Sequence, residues 1–190
     1  MRKSRKETAE TRQRIIEAAA TEFRRDGIVG TGLADFMASA GLTHGGFYKH
    51  FESKDEVVRE SLELASDTWI DSMESTLSRS SGVRKLSGAI TNYLSLKHRD
   101  DVAGGCPFVA LGSEPARGSE AVRETATCGI EKLIDLIAAE LHDMPPAAAR
   151  KQAQVMLATM IGAMTMARVV TDPELSASIL RQARKSLTGQ

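Results

Sequence analysis

Between Thr43 and Lys54 the chain reads Thr-His-Gly-Gly-Phe-Tyr-Lys-His-Phe-Glu-Ser-Lys. Hydroxyl, imidazole and ammonium groups are crowded there around two glycines, a set suited to phosphate oxygens and base edges rather than to bond breaking. Gly45 and Gly46 each weaken a helix by about 1 kcal/mol relative to alanine. At a helix start, however, their missing side chains let the backbone approach a phosphate or a groove wall. Phe47 and Phe51 fall four apart and should pack inward, leaving Tyr48, Lys49 and His50 to project outward. A polar, glycine-rich short helix of this kind has little structural reason to exist as a merely solvated face.

A second reactive group is Cys106, set directly before Pro107. Proline is favoured at the first position of a helix, so the sulfur is expected at a helix N-terminus, where the dipole favours thiolate and an electrophile or oxidant could be sensed. The competing role is inert packing. Acid-base candidates also occur at His98, Asp100, Asp101, His142 and Asp143, but without metal-ligand spacing, a nucleophile motif or a phosphate-cradling loop. No enzyme, metal site or cofactor is therefore expected. Two cysteines, Cys106 and Cys128, cannot build a disulfide framework, and Cys128 lies off the apolar stripe of its helix.

Charge has to act locally, because 25 basic residues balance 25 acidic ones. Arg2, Lys3, Arg5, Lys6, Arg12 and Arg14 face only Glu7 and Glu10 near the N-terminus, which reads as a basic arm leading into the first helix. Glu7, Thr8, Glu10, Thr11 and Gln13 occupy the place where a secretory signal would carry an apolar run. The uncharged stretch from Gln152 to Ala167 is too short and too polar to span a membrane. A cytoplasmic protein with no membrane partner is expected.

The elements that must hold these groups are helical. Ile15, Ala19 and Phe23 mark a first helix stopped at Asp26-Gly27. Thr31 is expected to cap a short second helix carrying Leu33, Phe36 and Met37, closed by Ala40-Gly41, and Thr43 to cap the recognition helix over residues 43–50. Ser53 to Glu56 reads as a capping box opening a long helix with Leu62, Ala65, Trp69, Met73 and Leu77 on one face, closed by Ser78 to Gly82. Val83, Leu86, Ile90, Tyr93 and Leu94 predict a helix ending near His98; Cys106-Pro107 predicts a short one through Glu114. Val122 to Leu141 predicts another, stopped at Met144-Pro145-Pro146, and the last two are expected over 147–170 and 173–187. The expected fold is all-α with about nine helices: a three-helix, helix-turn-helix DNA-binding unit over residues 8–67 and a helical effector-binding and dimerisation unit over 68–190.

The segment from Thr8 to about residue 67 resembles the TetR/AcrR family of bacterial regulators, most specifically in Gly41-Leu42-Thr43, Phe47 to Phe51 and Ser53 to Glu56. The resemblance implies phosphate contacts from Thr31, Thr43, Tyr48, His50 and Lys54, and base-edge contacts from Thr43, His44, Gly45 and Lys49. His44 stands where a lysine is commoner, and Lys49 where an aromatic or histidine is commoner, so the operator sequence is not implied. Gly105 to Glu114 resembles a subgroup whose sixth helix opens with Gly-Cys, in which the matching cysteine senses electrophiles.

Trp69, Met73, Tyr93, Phe108, Leu111, Met156 and Met160 come from helices expected to converge on an effector pocket, with methionine adapting to irregular ligands. Small residues at Ala158, Thr159, Gly162, Ala163 and Ala167, followed by Leu175, Ile179, Ala183 and Leu187, allow close helix packing. The family places its homodimer interface on these last two helices, which matches a palindromic double-stranded operator. The expected function is a small-molecule- or electrophile-responsive repressor; a helical adaptor that binds only protein is the alternative.

Overall fold

The computed structural model describes residues 5–79 and 84–189, with Arg84 described in its backbone only. Arg2 and Lys3 of the basic arm, Gly82 of the expected helix stop and Val83 of the expected fourth helix lie outside the described residues. Within them the chain is helical and has no strand. The α-helices are α1 (Arg5–Asp26), α2 (Leu33–Ser39), α3 (Lys54–Ser78), α4 (Arg84–Tyr93), α5 (Leu96–Asp100), α6 (Pro107–Ala110), α7 (Glu120–Ala138), α8 (Pro146–Val169) and α9 (Pro173–Thr188); 3₁₀ turns cover His44–Lys49 and Glu114–Arg117.

α1 buries Ile15, Ala19 and Phe23 against α2 and α3. It stops where Gly27 adopts φ +82°, a left-handed conformation that suits glycine, with its N–H on Phe23 O at 2.8 Å. α2 is not capped by Thr31 as expected. Gly32 is its N-cap, and the Asp35 carboxylate accepts the Gly32 N–H at 2.6 Å. The Thr31 hydroxyl instead donates to Gly27 O at 2.7 Å and is buried. A hydroxyl with a carbonyl within reach behind it takes that acceptor in preference to serving as a cap.

The expected single helix from Leu86 to His98 is two helices, because the Ser95 hydroxyl accepts the His98 N–H at 3.1 Å and opens α5 afresh. α6 ends at Ala110, short of the expected Glu114. The long helices make the frame of the larger half: α3 packs on α7, α7 on α8, and α8 on α9. α6 touches α1, α3 and α8 and so lies at the seam between the two halves. Polar ties cross that seam. Val29 N–H donates to Glu114 Oε2 at 3.0 Å, Ser119 Oγ to Asp55 Oδ2 at 2.6 Å, and Arg24 Nη1 to Gly105 O at 3.4 Å.

Candidate nucleic-acid interface

The recognition segment is anchored by aromatic packing. Phe47 is fully buried, edge-on to Phe36 at 6.0 Å between ring centroids and stacked on Phe51 at 5.7 Å. Phe36 in turn meets Phe23 of α1 edge-on at 5.7 Å. These rings hold a short 3₁₀ turn where an α-helix was expected, consistent with two adjacent glycines that disfavour the α conformation. Thr43 is its N-cap residue, but the Thr43 side chain makes no cap hydrogen bond.

Outside the aromatic anchor, Thr43, His44, Gly45, Tyr48 and Lys49 are exposed and His50 is half-buried. Tyr48 shows 68% of its surface although it packs edge-on to Phe47, so its hydroxyl is presented outward on a fixed ring. These six residues come together on one outward-facing turn. Two other expected phosphate ligands are placed differently. Thr31 is buried at 2% exposure, and Lys54 directs Nζ to the carbonyls of Ile28 and Thr31, both at 2.6 Å. They brace the loop between α1 and α2 from behind.

Two members of the basic arm are also framework residues. Arg12 forms ion pairs with Glu56 at 2.7 Å and with Glu60, donates to His50 O at 3.3 Å and lies over the Phe51 ring at 4.4 Å. Its hydrogen bond to Glu60 holds that carboxyl below the ordinary range. Arg14 donates to Ala40 O. The sequence signal that separates these two from Arg5 and Lys6 is their place at the edge of the apolar stretch of α1, with Arg12 about one turn before Ile15 and Ile16 and Arg14 directly before them.

In the larger half, Met73, Tyr93, Phe108, Leu111, Met156 and Met160 are buried and Trp69 is partly buried. Trp69, Met73 and Tyr93 border a cavity of about 10 Å³, roughly the room one water needs. Phe108 borders an open recess of about 210 Å³ with Arg123 and Ile130, and Leu111 a separate cavity of about 10 Å³ against α1 and α3. Met156 and Met160 are packed into the core between helices. The expected seven residues therefore do not enclose one common cavity here.

Trp69 stacks on His98 at 4.6 Å, and Tyr93 meets both rings edge-on, at 5.8 Å from Trp69 and 4.7 Å from His98. His98 Nδ1 pairs with Tyr93 O at 2.7 Å, and Nε2 accepts the Cys106 N–H at 3.0 Å. Nε2 is therefore unprotonated and Nδ1 carries the hydrogen. Burial lowers the imidazole pKa in accord with that neutral form.

Cys106 departs from the thiolate expectation. It is fully buried, and loss of water pushes its thiol pKa up, outweighing the hydrogen bonds that would lower it. A helix of four residues supplies too small a dipole to reverse that. Cys128 is exposed. Sequence reading missed His98 as a ring partner and missed Arg168, whose Nε and Nη2 hold Arg99 O and His98 O at 3.0 and 2.8 Å. The available signal was a lone charge ending the longest uncharged stretch of the chain.

Residues 15–60 match the description "Bacterial regulatory proteins, tetR family", and residues 82–184, more than half the chain, match "Transcriptional regulator LmrA/YxaF-like, C-terminal domain". The chain belongs to the TetR family.

Among TetR-family relatives, the HTH-type transcriptional regulator TtgR of Pseudomonas putida is 41% identical over 68 residues, which is 36% of this chain and 32% of TtgR. The match thus spans about a third of that relative. A TetR transcriptional regulator from Chloroflexus aurantiacus superposes with a TM-score of 0.81 at 26% identity, over 97% of this chain and 95% of that one. Reduced NemR of E. coli superposes with a TM-score of 0.80 at 22% identity, over 95% and 96%, which is a likeness of fold alone. No helix among the described residues is long and apolar enough to cross a membrane.

Proposed function

We propose that this TetR-family member is a cytoplasmic, homodimeric repressor that reads a palindromic double-stranded operator with the His44–Lys49 turn and releases it when a small molecule occupies the larger half. The observation that carries the reading is the turn itself. Its polar side chains face outward while Phe47 and Phe51 pin it to the core. Thr43, His44, Gly45 and Lys49 lie nearest base edges in this reading, with Tyr48, His50 and Thr43 on phosphates and Thr31 and Lys54 bracing the loop behind them. The DNA-reading unit spans residues 8–67 and the effector and dimer unit 68–190.

Dimerisation is supported by an apolar stripe on α8. Val155, Ala158, Gly162, Met166 and Val169 recur at helical spacing and are exposed, joined by Leu175 of α9. Ala163 and Ala167, expected on that face, point into the protomer instead. A two-fold contact on the exposed stripe would set two recognition turns at the spacing of a palindrome.

Binding of the purified protein to its own upstream DNA across a salt series tests the function. Tight, sequence-dependent binding is expected, with a Tyr48→Ala variant weaker by roughly tenfold and unchanged in stability. Absence of binding at low salt would favour a protein-binding adaptor.

A further inference from the structure

Four buried polar atoms gather around the start of α6 with no oxygen or nitrogen partner: Ser66 Oγ and Trp69 Nε1 from α3, Tyr93 Oη from α4, which faces the Cys106 thiol, and Arg168 Nη1 from α8. Folded proteins rarely leave such atoms unpaired, and each one needs an account. Their chemistry is one-sided. Indole and guanidinium nitrogens only donate, and the two hydroxyls can donate to a guest as well as accept.

The charge is one-sided too. Arg168 is half-buried, its guanidinium binds backbone carbonyls, and it takes part in no ion pair among the described residues. It lies within electrostatic reach of the Tyr93 hydroxyl and the Cys106 thiol, both of which burial keeps protonated. Tyr93 itself is 98% buried, being 2% exposed. The carboxylates of Asp100 and Asp101 act on Arg168 through space without forming an ion pair with it, so a cation and three further potential donors stand together with no directly paired anion. The surrounding surface is aromatic, with Trp69, Tyr93 and His98 in mutual ring contact.

We propose that this cluster is the head-group site for an effector bearing a carboxylate on an apolar body, held by Arg168 Nη1, Tyr93 Oη and Trp69 Nε1, with Ser66 Oγ as a fourth donor. The inference rests on the effector-responsive reading above and supplies its chemical class. Charged hydrogen bonds to a carboxylate satisfy donor-only groups and the buried cation together, which a neutral guest does only in part. The neighbouring cavity is about 10 Å³, so a guest must displace side chains on α3 and α4. Occupancy is therefore tied to a change in packing beside α6, the element that touches α1 of the DNA-reading half.

Trp69 is the only tryptophan in the chain, so its emission reports this site alone. The full-length protein at pH 7.5 is titrated with benzoate and with straight-chain carboxylates from acetate to dodecanoate, each beside its primary amide, at matched ionic strength. The expected result is that at least one acid shifts Trp69 emission and raises the melting temperature, with its amide roughly tenfold weaker or worse. Tyr93→Phe, which removes only the hydroxyl, should weaken that acid roughly tenfold and the amide less. Arg168→Gln should abolish the preference for acid; the wild-type acid and amide comparison stands even where that variant does not fold. Acid and amide binding equally would overturn the carboxylate class and leave the effector site standing. No response of Trp69 to either series would overturn both, and a shift reproduced by sodium sulfate alone would reduce the effect to ionic strength and overturn the proposal.

Discussion

The polar groups behind the recognition turn and those around α6 are treated in opposite ways by the same chain. In the DNA-reading half, Arg12, Arg14, Thr31, Ser39 and Lys54 each reach a carboxylate or carbonyl at hydrogen-bond range. In the larger half, Ser66, Trp69, Tyr93 and Arg168 each keep a buried polar atom without an oxygen or nitrogen partner. A reading head has to present one geometry to DNA, and satisfied hydrogen bonds between elements fix it. On the proposed reading the larger half has to change when a guest arrives, and unsatisfied donors leave a free-energy difference that binding would realise. The contrast teaches that rigidity and responsiveness are allotted by where polar valence is completed.

The sharpest way to break the comparison is to loosen the half described as rigid. Phe47→Ala removes a fully buried ring wedged between Phe36 and Phe51, and truncation of this kind costs about 3–5 kcal/mol. Urea denaturation should show the loss, and DNA binding should fail with it. A variant that retained wild-type stability would mean the aromatic anchor is not what holds the turn.

Two pH limbs separate the halves next. His98 has a pKa held below its ordinary 6.5, chiefly by burial. The unfolded chain then binds the proton more readily, so the contribution of His98 is complete above 6.5 and is lost as pH falls through the folded value. Protonation also removes the acceptor for the Cys106 N–H. The urea midpoint should drop between pH 8 and pH 5.5, and His98→Gln should flatten that drop. An unchanged slope in the variant would show that other groups carry it.

Glu60 sets the second limb lower down. Its carboxyl is depressed below its ordinary 4.5, first by the hydrogen bond from Arg12. Its stabilisation is present above that value and lost as pH falls through the folded one. Arg12→Ala should cost about 1 kcal/mol at neutral pH, since the pair is partly exposed, and should shrink the loss of stability below pH 4.5. Equal acid sensitivity in wild type and variant would remove Arg12 from the frame.

Much of this contrast was legible from residue order alone. The apolar spacing of Ile15, Ala19 and Phe23, the Ser53 cap on Glu56 N–H and the glycine turn at Gly41 are local patterns, and local hydrogen bonds enforce them, although the Glu56 carboxylate takes the N–H of Glu52 and so leaves the expected capping box half formed. What escaped is non-local. Thr31 could not be known to favour Gly27 O over its own helix, nor Arg12 to find Glu60 across 48 positions of chain. Ser95 split a helix because its hydroxyl met the His98 N–H, an event that apolar periodicity does not register. Arg168 was passed over because a charge after an apolar run reads as a helix end, whereas here it reaches back to the carbonyls of α5.

The comparison is most exposed to correction at Cys106, where no change in stability is at stake and only a rate is read. Two thiols compete for an alkylating reagent in the native protein: Cys128 is exposed and Cys106 has no accessible surface. The reactive species is thiolate, and burial raises the Cys106 pKa, so both access and ionisation slow it. N-ethylmaleimide followed by peptide mass mapping should label Cys128 at the rate of a free thiol and Cys106 at least about a hundredfold more slowly, speeding up only as urea opens the core. Labelling of Cys106 as fast as Cys128 in buffer would mean that the α6 region opens on its own. The core would then expose a sulfur flanked by Arg168, and the sensing role would pass from a bound guest to the thiol.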